Sequence, residues 1–182
     1  LGVVVQCRPG FEADAGQELQ ASAARLAARL QSQPQSGFVF LALEAPQPHD
    51  ELRRRLDTSR LVFARQGFQV LAVIDDLPER DRLTPLVERI EGFHERFSAI
   101  LLETPDTNEG KQQSGFLGRF GPLLEAALQL RLEEGRTKDV QADELRALVL
   151  GGGAAAALLG GLVLGLQDVD AGATGEVADH VG

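Results

Sequence analysis

The 182-residue chain contains no Met, no Trp and no Tyr, and its single cysteine is Cys7. A lone cysteine forms no internal disulfide and falls short of a Cys-rich zinc site, which points to a reducing, cytoplasmic setting. His49, His94 and His180 are its three histidines. His94 stands beside Glu91 and Glu95 without a second fixed ligand, so no metal site is expected. Basic residues are outnumbered, 18 Lys and Arg against 27 Asp and Glu for a net charge of -9, which does not announce a nucleic-acid binder. There is no phosphate loop of Walker type, since Gly151-Gly152-Gly153 lacks the following Lys and Ser or Thr, and no repeat of solenoid period. Ordinary usage would supply roughly a dozen Met, Trp and Tyr at this length. Leu1 also stands where an initiator Met is expected. The chain is therefore read as a piece of something longer, or as one in which large side chains are written as small ones.

Against these absences stands a hydrophobic content of 43%, ordinary for a globular protein. A chain of this size buries roughly two-thirds of its unfolded surface, enough for one or two small domains. Val3-Val4-Val5 is a β-branched run within Gly2 to Cys7 and predicts a buried strand, stopped by Arg8-Pro9-Gly10. Leu19, Ala23, Leu26 and Leu30 share a helical face, which predicts a helix over Glu12 to Gln31 closed by Pro34 and Gly37. Phe38 to Leu43 reads as a strand and Asp50 to Leu56 as a short charged helix, on which Arg53-Arg54-Arg55 is offset by Asp50, Glu51 and Asp57. A second unit is expected from about Ser59. Leu61 to Phe63 and Phe68 to Ile74 suit a strand or bulged pair, with the bulge at Gly67. Thr84-Pro85 has the form of an N-cap followed by proline, opening a helix whose face runs through Leu86, Val87, Ile90, Phe93 and Phe97. Ala99 to Leu102 reads as a short strand, and Asp106 with Glu109 as a capping box. Phe116, Phe120, Leu123, Leu124, Ala127 and Leu128 form another amphipathic face.

Ala147 to Leu166 is a run of twenty uncharged residues, long enough as a helix to cross a bilayer. Gly151-Gly152-Gly153 and Gly160-Gly161 penalise a helix by about 1 kcal/mol per glycine, and no Trp or Tyr marks an interface. Two buried strands, Leu145 to Leu150 and Ala157 to Leu166, joined at the triple glycine, are the alternative. The pattern Val169-Asp170-Ala171-Gly172-Ala173-Thr174-Gly175 is that of a nucleotide turn, but only seven residues follow it, so terminal linker is the better reading. Cys7 precedes Arg8, whose charge favours a thiolate, but no base is near in sequence, and a buried apolar role is preferred. The pairs Asp75-Asp76 and Glu133-Glu134 read as solvated carboxylates. Arg8, Arg65, Lys111 and Arg119 each lie next to an expected strand end, turn or helix start, where a phosphate can be met.

Four separated motifs occur in order: Cys7-Arg8-Pro9-Gly10-Phe11-Glu12, Leu61-Val62-Phe63-Ala64-Arg65-Gln66, Leu77-Pro78 with Asp81-Arg82-Leu83-Thr84-Pro85, and Asp106-Thr107-Asn108-Glu109-Gly110-Lys111. Together, over about residues 3 to 130, they resemble the N-terminal half of the bacterial large-subunit (23S) ribosomal RNA cytidine ribose 2'-O-methyltransferases that carry a THUMP domain. The resemblance implies an α+β fold, with a ferredoxin-like unit over 1–57, a THUMP-like RNA-binding unit over 58–167 and a terminal linker over 168–182. It implies structured ribosomal RNA as partner and S-adenosylmethionine as cofactor of a downstream Rossmann-like domain. No catalytic, cofactor-binding or metal residue is expected in the chain itself, which alone is expected to be inactive. Arg8, Arg65, Lys111 and Arg119 are the expected RNA contacts. The sequence departs from the family at Gly67, where Trp is usual, and at Leu117-Gly118-Arg119, where a Cys-Arg-Lys run is usual. Alternatives are a small cytosolic enzyme using Cys7 or the tail glycine turn, and a membrane-anchored domain.

Overall fold

The computed structural model describes residues 2–56, 60–74, 78, 80–137, 143–149 and 162–167. The chain opens with β1 (Gly2–Cys7), α1 (Glu12–Ser22), β2 (Ala28–Ser32), β3 (Phe38–Leu43), α2 (His49–Arg55) and β4 (Ala64–Ile74). It continues with α3 (Leu83–Glu91), β5 (Phe97–Glu103), α4 (Asn108–Gln112), α5 (Ser114–Ala127), α6 (Gln129–Thr137), β6 (Asp143–Val149) and β7 (Leu162–Gln167). The strands form one sheet in the order β2-β3-β1-β4-β7-β6-β5, antiparallel throughout except for the β5–β6 pair. The first six elements follow the βαββαβ order of a ferredoxin-like unit, with β1 paired to β3 on one side and β4 on the other. The fold is α+β. β4 joins the two halves of the sheet, since its other edge pairs with β7.

Alternation along the strands builds three cores. Val3, Val5 and Cys7 pack with Ala15 and Leu19 of α1 and Leu52 of α2. On the other face of the same strands, Val4 meets Phe38, Phe40, Phe68 and Val70. β1 is thus covered on both faces, which is why its apolar run does not alternate with polar residues. The third core joins Leu86 and Ile90 of α3 and Phe120 and Leu124 of α5 to Leu145, Ala147, Leu162 and Leu164 of β6 and β7.

Several expectations are corrected. The helix from Glu12 ends at Ser22, and Leu30 belongs to β2. Ala28 and Leu30 alternate with the exposed Arg29 and Gln31, a period-two pattern that the helical spacing overlay. Phe97 starts β5 rather than continuing α3. The helix N-terminus near Thr84 is capped by Asp81, whose Oδ1 accepts from the Thr84 amide at 3.1 Å. The Asp81 carboxyl is held below its usual range by that backbone hydrogen bond. Leu61 to Phe63 lie outside β4, and the bulges fall at Arg65 and Leu71, the residues skipped in the pairing with β1 and β7. The second bulge moves the even positions of β4 from the core of Phe68 and Val70 to that of Ala72.

Both described ends of the apolar run, 147–149 and 162–166, are strands paired to each other, so the run is not one helix. Among the described residues no helix is long and apolar enough to cross a membrane. The pair Asp75-Asp76, the turn at 169–175 and His180 lie outside the described residues.

Candidate nucleic-acid interface

A buried carboxylate organises the end of β1. Glu12 Oε2 accepts from the Gly10 amide and its Oε1 from the Gly37 amide, both at 3.0 Å. The Cys7 amide donates to the Gly37 carbonyl at 2.9 Å, so the turns before α1 and before β3 are tied together. Gly10 has φ +93° and Gly37 φ +77°, left-handed conformations that glycine adopts without steric cost.

The chain leaving β5 returns to this corner although β5 is the far edge of the sheet. Glu103 accepts from Gln6 Nε2 at 3.1 Å and from Gln66 Nε2. Thr107, rather than the expected capping box of Asp106 and Glu109, caps α4, its Oγ1 accepting from the Gly110 amide at 3.0 Å. A Cβ on Gly110 would lie 2.0 Å from the Pro105 carbonyl oxygen, so this turn closes only around glycine.

With Thr107 as the cap, Asp106 is left exposed and gathers two cations. Arg65 Nη1 lies 2.8 Å from Asp106 Oδ2, and Lys111 Nζ 3.3 Å from Oδ1. Arg65 is the bulged residue of β4, and a bulge re-aims its side chain out of the regular alternation. Hydrogen bonds from Arg65, then from Lys111, hold the Asp106 carboxyl below its usual range. The trio carries one net positive charge. Arg8 is exposed in the adjacent turn, its carbonyl accepting from the Phe11 amide at 3.0 Å. Arg119 is exposed on α5, and no contact joins it to the trio. The fold thus unites Arg65 with Lys111, keeps Arg8 at the neighbouring turn, and leaves Arg119 apart.

Two aromatic residues to which the sequence reading gave no role also lie here. Phe11 and Phe63 stack with ring centroids 5.6 Å apart and are both exposed. Their signal in the sequence was proximity to Arg8 and Arg65, aromatic residues interleaved with basic ones.

The enzyme alternative through Cys7 is not supported by its environment. Burial first, then the charge of Glu12, push the thiol up to about 12, against the opposing pull of Arg65. Nor does the β1–α1 turn suit a nucleoside cofactor such as S-adenosylmethionine. Its Gly10 amide is already taken by the buried Glu12 carboxylate, and no step of methyl transfer is assigned to these residues. Among the described residues there is no group of His, Cys, Asp or Glu able to hold a metal ion. Gly67 is buried, lining a cavity of about 10 Å³ with Leu52 of α2 and Leu56 just after it, so the missing aromatic bears on packing and not on the exposed cations. Gly118, by contrast, faces open space.

Two family models match the chain: "RlmM ferredoxin-like domain" over residues 1–68 and "Ribosomal RNA large subunit methyltransferase M, N-terminal" over residues 81–144. The ribosomal RNA large subunit methyltransferase M of Thauera aminoaromatica is 44% identical over 130 residues, covering 70% of this chain and 36% of that protein. The Klebsiella pneumoniae (strain MGH 78578) protein of the same name is 39% identical over 131 residues, covering 70% and 35%. The chain belongs to the ribosomal RNA large subunit methyltransferase M family. It corresponds to the N-terminal part of these methyltransferase M relatives and spans about a third of their length. Among solved structures, TrmN from Thermus thermophilus aligns with a TM-score of 0.53 at 16% identity, covering 91% of this chain and 45% of that one. That likeness extends the shared fold beyond the methyltransferase M family. Arg65 lies in the first matched segment and Asp106 and Lys111 in the second, so the cation cluster spans both.

Proposed function

We propose that this chain is the RNA-gripping part of an S-adenosylmethionine-dependent ribosomal RNA methyltransferase acting in the cytoplasm. On this reading it presents structured RNA to a downstream Rossmann-like domain that methylates a cytidine ribose 2'-oxygen. The ferredoxin-like unit, expected over 1–57 and completed in the sheet by β4, shares the grip with the THUMP-like unit expected over 58–167, and β4 is the strand paired to both sides.

The observation that carries the reading is the Arg65–Asp106–Lys111 trio. All three side chains are well exposed, and exposed ion pairs add little to stability, so a phosphate can replace Asp106 on either cation at small cost. With Arg8 in the adjacent turn the surface offers a local cation patch that works against the overall charge of -9, and Arg119, apart on α5, adds a separate phosphate contact.

Binding of the full chain to a structured ribosomal RNA fragment, measured across a salt series, tests this. Affinity should fall steeply as salt rises, and Arg65→Glu or Lys111→Glu should each weaken binding and reduce the salt slope by about 1. Binding that ignores salt, or that neither variant alters, overturns the proposal.

A further inference from the structure

We infer that the Phe11–Phe63 stack is a platform for an unpaired RNA base, with Arg8 and Arg65 meeting the flanking phosphates. This rests on the RNA-gripping reading and adds to it the state of the RNA that is held. Of the nine phenylalanines, all within the described residues, only Phe11 and Phe63 are exposed, at 38% and 36%. They lie against each other at an interplanar angle of 20° and beside Val62, which is 79% exposed. An apolar patch left in water, with Arg8 and Arg65 close by in sequence, is a binding surface more often than a packing defect.

The backbone beneath both rings is held. The Val62 and Phe63 amides donate to Glu18 Oε2 of α1 at 2.9 and 3.0 Å. Phe11 immediately precedes α1, its carbonyl accepting from the Ala15 amide at 2.9 Å. α1 therefore fixes both aromatic residues before any ligand arrives, and a preorganised platform loses little entropy on binding. Arg8 closes the turn that carries Phe11, and Arg65 follows Phe63 by two residues, within about 7 Å from Cα to Cα. Aromatic faces next to guanidinium groups suit single-stranded RNA. Every unpaired base offers a π-face and each nucleotide a phosphate, whereas a duplex buries its base faces and offers phosphate alone.

The test compares a hairpin RNA carrying 2-aminopurine in its loop with a fully paired duplex of equal length. The chain has no Trp or Tyr, so the probe's emission is read without competing protein fluorescence. Wild-type chain should quench the loop probe and favour the hairpin. Phe63→Ala should weaken hairpin binding by about five- to 150-fold, the range for one lost base stack, and leave duplex binding unchanged. Phe63→Leu, which keeps apolar bulk without a ring, should behave as Phe63→Ala, while Phe63→Trp should retain or strengthen hairpin binding. Equal losses on hairpin and duplex, or an unquenched probe with no hairpin preference, overturn the platform while leaving the salt-dependent grip standing. Absence of salt-dependent binding to either RNA overturns both.

Discussion

The two halves of the sheet are stabilised by different means. Around β1 to β3, apolar residues are buried on both faces, and the turns between elements are held by a buried carboxylate: Glu12 binds two amides 27 residues apart in sequence, Gly10 and Gly37. Around β5 to β7 the work falls on helical faces, where Phe120, Leu124, Leu128 and Leu132 press on one side of the sheet. The outer face of α5 carries Gly115, Gly118 and Gly121 with nothing near them, and Pro122 lies inside the helix. Each such glycine weakens a helix by about 1 kcal/mol relative to alanine, so α5 persists through its buried face more than through intrinsic preference. Polar pins fix turn geometry at the angstrom level, while apolar burial fixes only which faces meet. The exposed cluster uses both: pinned turns present Arg8, Phe11 and Phe63, and the β5–α4 segment brings Asp106 and Lys111 to Arg65.

The strongest way to break this contrast is a pair of substitutions. Leu124→Ala should lower stability by about 2–5 kcal/mol through lost burial and a cavity. Glu12→Ala should cost about 3 kcal/mol by removing two charge-assisted hydrogen bonds, and hydrogen exchange should speed up at the Gly10 and Gly37 amides. Denaturation midpoints with amide exchange separate the two, and a Glu12→Ala chain as stable as the parent would abolish the distinction.

A smaller effect concerns Cys7. Its thiol is raised from 9.0 to about 12 in the folded chain, so folding favours the protonated form. That contribution is complete below pH 9 and is lost as pH climbs from 9 towards 12. Alkylation near pH 8.5 should accordingly be slow in the folded protein and fast after denaturation, and equal rates would show that the thiol is not sheltered. The smallest effect on stability is expected of Asp106→Asn. Melting should not move, because the pair is exposed, yet RNA should bind more tightly once two cations are released from a carboxylate. Weaker binding would assign Asp106 a positioning role for Arg65 and Lys111.

Much of the first half was legible from residues alone. Val3-Val4-Val5 and Phe38 to Leu43 are β-branched or aromatic runs bounded by turn residues, and both are strands. β2 was obscured because Leu26 and Leu30 continue a helical spacing that the Ala23 to Leu26 turn interrupts. Of the four basic residues singled out, sequence could place each near an element end, but not Arg65 beside an aspartate 41 residues away.

By itself, then, the sequence determined the strand runs, the basic and aromatic residue types at the element ends, and the family motifs whose resemblance implies the α+β class, because runs and motifs depend on local pattern. Tertiary structure alone decided that Arg65 leaves the strand at a bulge, that Lys111 joins it on Asp106, and that Phe11 faces Phe63. Those relations depend on strand register and on where the chain returns after β5. Contacts between distant segments set both, and periodicity carries no record of them.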